Sequence, residues 1–129
     1  MTTPQREKSL EILSQMLGPE MASAIKDSDA SNLFAGHIGE LAMANVFDPL
    51  WTRKGLDRRT RSLVTLGILI ALRATEEMAV HFPAAVRNGA TVAELEEVVY
   101  QATAYAGFPA AKTARDVAEA ALKKAGMFP

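Results

Sequence analysis

The chain has 129 residues, 14 Lys and Arg against 15 Asp and Glu, and no cysteine. That length suits a single domain with one core. The missing thiol removes disulfide scaffolds, thiol nucleophiles, Cys-x-x-Cys redox centres and Cys-ligated metal sites. The balanced charge offers no basic footprint for nucleic acid.

Arg6, Glu7 and Lys8 stand where a secretory signal needs an apolar run. The longest apolar stretch, Leu63 to Leu72, is half of the ~20 residues that a spanning helix needs. The expectation is a cytoplasmic protein with no membrane partner.

In chain order the pattern is helical throughout, and an all-α fold of six or seven helices is expected. Gln5 to Leu17 places Leu10, Leu13 and Leu17 on one face, and Gly18-Pro19 stops the run. Glu20 to Lys26 reads as a short helix. Asp29 or Ser31 is a candidate cap for a helix reaching Val46, with Leu33, Phe34, Ile38 and Leu41 on its apolar side. Pro49 and Gly55 mark 48–55 as a loop. Asp57 then caps a helix to about Arg73 that is apolar nearly all round, from Leu63 to Leu72. A helix with so little polar face needs cover on every side, which points to a homo-oligomer.

Thr75 is the expected cap of the next helix, with Glu76 and Glu77 in its first turn and Pro83 expected to kink it just after His81. Asn88-Gly89 ends it. Thr91-x-x-Glu94 is a capping box, opening a helix with Leu95, Val98, Val99, Ala102 and Tyr105 on one face. Gly107-Phe108-Pro109 breaks the chain. A last Ala-rich helix runs from Ala110 to Ala125 and closes at Gly126.

Without cysteine, chemistry falls to carboxylates, imidazole and Arg. Glu77-x-x-x-His81 puts a carboxylate and an imidazole on one helix face. Such a Glu orients the ring and raises its pKa, giving an acid–base unit; a surface i,i+4 ion pair is the other reading. His37-x-x-Glu40 lacks the spacing of helical metal sites, so no metal is expected, and His37 reads as a partly buried side chain. Arg53, Arg58, Arg59 and Arg61 cluster around Trp51. Arg grips carboxylates in a bidentate fashion and Trp offers an apolar wall, a pairing suited to an organic acid. Surface or subunit contacts account equally for several of these Arg residues. Tyr105, on an apolar face, reads as core.

Four ordered motifs carry a resemblance: Trp51-x-Arg53-x-Gly55 with Asp57 to Leu63, then Glu76-Glu77-x-x-x-His81, Arg87-Asn88-Gly89, and Tyr105-Ala106-Gly107-x-Pro109-Ala110-Ala111. Together they resemble the carboxymuconolactone decarboxylase family over about Phe34 to Leu122. The resemblance implies one domain over 1–129, with a divergent stretch at 1–30, and an alkylhydroperoxidase-D-like helical fold assembled as a trimer or hexamer. Peroxidases of that fold use Cys-x-x-Cys; the matching positions here are Ala74 and Glu77, so thiol peroxidase activity is excluded.

The implied activity is decarboxylation, without cofactor, of 4-carboxymuconolactone or a related small organic-acid lactone in aromatic-compound breakdown. The implied site has His81 and Glu77 as catalytic pair, Arg53 and Arg61 on the spectator carboxylate, Trp51 and Tyr105 as walls, and His37 as a further binding candidate. Phe47-Asp48 replaces the family's usual Trp-Gly, and Pro83 follows His81 where a helix-compatible residue is more usual. These departures keep two alternatives open: an isomerase- or cyclase-type proton-transfer enzyme, and a non-catalytic oligomeric binding protein.

Overall fold

A computed structural model of the chain describes residues 2–129. Among these residues there are helices and no strands. With the contiguous helical segments of 38–51 taken as one, there are seven helices, in two compact units that meet in sequence between Leu56 and Asp57.

The first unit opens with α1 (Thr3–Leu17), held at its start by a capping box between Thr2 and Gln5. Gly18, at φ 93°, reverses the chain into α2 (Pro19–Asp27), where Pro19 begins the helix because its missing N–H is an orphan there anyway. The long helix expected after Asp29 does not form. Asp29 Oδ1 instead accepts from the Ser31 amide, and single turns link Ala30 to Leu33, Leu33 to Gly36 and Ala35 to Ile38. Ala35 takes a left-handed conformation at φ 54°, and Gly36 has no room for a Cβ beside the Ala30 carbonyl. Leu33, Phe34, Ile38 and Leu41, expected on a buried face, are exposed.

Helix α3 (Ile38–Ala42) then passes into a π-helical turn (Met43–Phe47) and α4 (Asp48–Trp51). The expected loop at 48–55 therefore shrinks, because Pro49 sits in the first turn of α4, where proline is tolerated. The wider turn disturbs the carbonyl ladder, and the buried Ser9 hydroxyl donates to the Met43 carbonyl at 2.7 Å. One extra residue per turn also rotates the downstream side chains by roughly 100°. Trp51 thereby packs with Ile12 and Met16, while Met43 joins Leu13 and Ala22.

The second unit packs four helices: α5 (Arg58–Leu72), α6 (Thr75–Arg87), α7 (Val92–Tyr105) and α8 (Phe108–Lys124). Its core gathers Leu66, Ile70, Met78, Phe82, Leu95 and Leu122 with a set of alanines that let helices approach closely. Asp57 caps α5 as expected, accepting from the Thr60 amide at 2.7 Å. Thr75 does not cap α6. Arg73, left-handed at φ 56°, turns the chain so that Ala74 holds the cap position without a side-chain bond, and Thr75 is already helical. Pro83 lies inside α6 without ending it. The carbonyl it leaves without a helical donor belongs to Ala79, at an exposed position where water can serve. Helix α8 starts two residues earlier than expected, with Phe108 and Pro109 in its first turn.

Polar ties between α5 and its neighbours use residues of the recognised motifs. Glu94 accepts from Arg59 Nε at 3.2 Å and from the Thr91 amide at 2.9 Å, so one carboxylate closes the α7 cap and anchors α5. The Asn88 amide donates to the wholly buried Ser62 hydroxyl at 2.9 Å, joining the end of α6 to α5. Glu94→Ala removes a cap and a charge-assisted hydrogen bond together. It is expected to lower stability by about 2 kcal/mol in urea unfolding, with Glu94→Gln recovering part of that.

Candidate active site

The acid–base pair forms on α6. Residues 77 and 81 are one turn apart, and the side chains converge, His81 Nε2 standing 3.9 Å from Glu77 Oε2. The two differ sharply in environment. The His81 side chain is 13% exposed and Glu77 is 65% exposed. Helix α6 places Met78 and Phe82 in the core, and His81 sits at the edge of that buried stripe, its Nδ1 fully covered. Glu77 lies in the first turn, where the helix dipole favours a carboxylate.

The expected rise in the imidazole pKa is reversed. Burial pushes the His81 pKa below its ordinary 6.5, and the opposing pull of Glu77 is the smaller effect. A solvated carboxylate at 3.9 Å acts through a high dielectric, whereas desolvation acts on the whole ring. His81 is therefore a neutral imidazole at neutral pH. In a proton NMR titration its midpoint is expected below 6.5, and Glu77→Gln is expected to move it lower still, since the one raising contribution is lost. The sign carries over to stability. Between the lowered folded pKa and 6.5 the unfolded chain binds more protons, so the His81 contribution weakens the fold as pH falls below 6.5 and vanishes above it.

The other expected site residues fall into two groups. Trp51, Arg53 and His37 belong to the first unit, and Arg61 and Tyr105 share the second with the acid–base pair. Trp51 is 4% exposed and packs in a core cluster with Ile12 and Met16. His37 is exposed, not partly buried. It occupies the cap position of α3, its Nδ1 3.8 Å from Glu40, beyond hydrogen-bond reach. Tyr105 is 85% exposed, against the expectation of core packing. It is the last residue of α7, and Gly107 at φ 101° swings the chain away before the apolar face can be covered.

Of the Arg cluster, Arg59 is committed to Glu94 and is structural. Arg61 is half-buried on α5 and Arg53 is exposed after α4. Asp48, the departure from the family pattern, lies half-buried in the first turn of α4. Among the described residues no three His, Asp or Glu side chains converge to hold a metal ion. No helix is long and apolar enough to cross a membrane.

The Ser62 anchor and the second bond of Glu94 are not visible in the sequence pattern. A lone Ser in an apolar helix gives no signal of its partner, and the Glu94 capping role hid its second bond to Arg59.

The profile of the carboxymuconolactone decarboxylase family matches residues 38–120, which takes in α3 to most of α8. Over 132 aligned residues the chain is 36% identical to a 4-carboxymuconolactone decarboxylase of Acinetobacter baylyi, covering 100% of this chain and 96% of that protein. It is 41% identical over 70 residues to a nitrosuccinic acid decarboxylase of Metarhizium robertsii, covering 54% of this chain and 49% of that one. A 15.0 kDa uncharacterised protein of Paracoccus denitrificans is 32% identical over 75 residues, 57% of this chain and 56% of its own length.

Proposed function

The chain belongs to the carboxymuconolactone decarboxylase family, and from that premise we propose that it is a cofactor-free carboxy-lyase acting on 4-carboxymuconolactone or a related small organic-acid lactone. The observation that carries the reading is the Glu77–His81 pair, set at the edge of a buried stripe in a chain similar along its whole length to a decarboxylase. Both decarboxylases among its relatives support the carboxy-lyase class.

The chemistry asks for little. The carboxylate departs from the γ-carbon of an α,β-unsaturated lactone. Its electron pair moves through the double bond onto the lactone carbonyl oxygen, giving a furanolate-like dienolate that is then protonated on the α-carbon. The substrate supplies its own electron sink. The protein's part is to stabilise the developing oxyanion and deliver a proton. A neutral, desolvated His81 suits hydrogen-bond donation to that oxyanion. An arriving dianionic substrate raises the imidazole pKa again, so protonation is coupled to binding. Glu77, at the exposed end, links the ring to solvent protons. Arg61 is the proposed holder of the spectator carboxylate, and Tyr105 is a proposed ligand contact.

A homo-oligomer, trimeric or hexameric, belongs to the same proposal. Val64, Ile68 and Leu72 recur every fourth residue along α5 and are all exposed, an apolar stripe that a second copy would cover. A cytoplasmic location is proposed with it.

The test is direct assay of the purified protein with 4-carboxymuconolactone, following CO2 release and lactone absorbance. Turnover that fails in His81→Ala supports the reading. No turnover by folded protein removes the lactone as substrate and leaves family membership standing.

A further inference from the structure

The second unit holds a cavity that the acid–base pair does not use. It has a volume of about 250 Å³ and opens between α7 and α8. Its buried floor is Phe82, Leu95 and Leu122, with Val99 half-buried beside them. Neither Glu77 nor His81 lines it. The space is partly open to solvent, and its walls are mainly apolar.

The rim is organised. Phe128 lines the cavity, its ring 5.9 Å from Lys123 Nζ, and Lys123 is itself paired with Glu119 at 2.8 Å. Arg115 is matched by Asp116 at 3.1 Å. The charges at the rim are thus satisfied in pairs, with Glu96 left over, so the mouth does not favour an anion. The exposed Tyr100, whose side chain ends in a hydroxyl, lines the same cavity.

We infer that this cavity between α7 and α8 is a second binding site, separate from Glu77 and His81, for a neutral monocyclic aromatic molecule bearing a hydrogen-bonding substituent. Size supports the class, because a dry apolar cavity of ~150 Å³ already admits benzene, and the additional volume takes one substituent. The rings of Phe82 and Phe128 offer edge or face contacts to another ring. The Tyr100 hydroxyl supplies a polar contact for the substituent. Because Phe82 directly follows His81 on α6, an occupant touches the helix that carries the acid–base pair.

Isothermal titration with phenol, toluene and benzoate tests this on the intact chain. Phenol is expected to bind saturably, toluene several-fold more weakly, and benzoate at least tenfold more weakly. Val99→Trp, which fills the space, is expected to weaken phenol at least tenfold. Tyr100→Phe is expected to erase the preference of phenol over toluene, and His81→Ala to leave both unchanged. Should Val99→Trp fail to fold, methyl NMR of the unaltered chain serves. Phenol-induced shifts confined to Leu95, Val99 and Leu122 support the site, and shifts centred elsewhere overturn it. The inference also fails if benzoate binds as well as phenol, if no saturable binding occurs, or if His81→Ala abolishes phenol binding. It fails equally if folded Val99→Trp changes the oligomeric state, since the cavity is then a subunit contact.

Discussion

His81→Ala is expected to lower kcat/KM for decarboxylation by roughly 10²- to 10⁴-fold, the usual worth of a positioned acid–base or oxyanion-stabilising group. The fold is expected to persist, because His81 stands at the edge of the buried stripe and the core of α6 rests on Met78 and Phe82. Glu77→Gln is expected to cost less, about tenfold. At 3.9 Å and largely in solvent, Glu77 modulates the ring without holding it in a tight hydrogen bond. The pH profile separates the two residues. His81 titrates below 6.5, so the limb of kcat/KM that reports its protonation is expected below 6.5, and Glu77→Gln is expected to shift that limb further down. Turnover above a tenth of the original in folded His81→Ala would remove His81 from the chemistry.

Trp51→Ala is expected to destabilise the first unit by about 3–5 kcal/mol, the range for deleting a large buried aromatic side chain. Its ring closes the cluster with Ile12 and Met16, and few other large side chains fill that unit. Urea unfolding gives the loss directly, and hydrogen exchange over the residues up to Leu56 localises it. The competing assignment of Trp51 to a ligand wall predicts the reverse pattern, a raised KM with stability nearly unchanged. Trp51→Phe, which keeps most of the apolar volume, is expected to recover more than half of the stability.

The two experiments bear on different levels of the molecule. His81 was legible as a chemical candidate from its spacing to Glu77, since helical geometry alone brings residues four apart to one face. Its protonation state was not legible, because that depends on how much of the ring the core covers. Burial of the ring in the folded chain overrides the nearby carboxylate. Trp51 was legible as important through its motif but not as core. The π-helical turn before it shifts the helical register, and nothing in Met43 to Phe47 announces a wider turn.

The Arg cluster shows the same limit. Four Arg residues in nine positions look like one anion site, yet Arg59 is committed to Glu94 across to α7. That partner lies 35 residues away in sequence, and no local pattern links the two.

By itself the sequence determined the helical class, the caps at Asp57 and Thr91, the breaks at Gly18, Gly89, Gly107 and Gly126, and the exclusion of thiol chemistry. Each is local: a side-chain oxygen and an amide three residues on, a glycine at positive φ, or the absence of sulfur. It also determined that Glu77 and His81 share a face. Tertiary structure decided the rest: that His81 is neutral, that Trp51 is core, that Tyr105 is bare, and that a 250 Å³ space lies between α7 and α8. Desolvation, packing and cavities are properties of the surroundings of a residue, and those surroundings come from distant parts of the chain. The near-balanced charge and missing cysteine bounded the chemistry, and burial selected among the remaining possibilities.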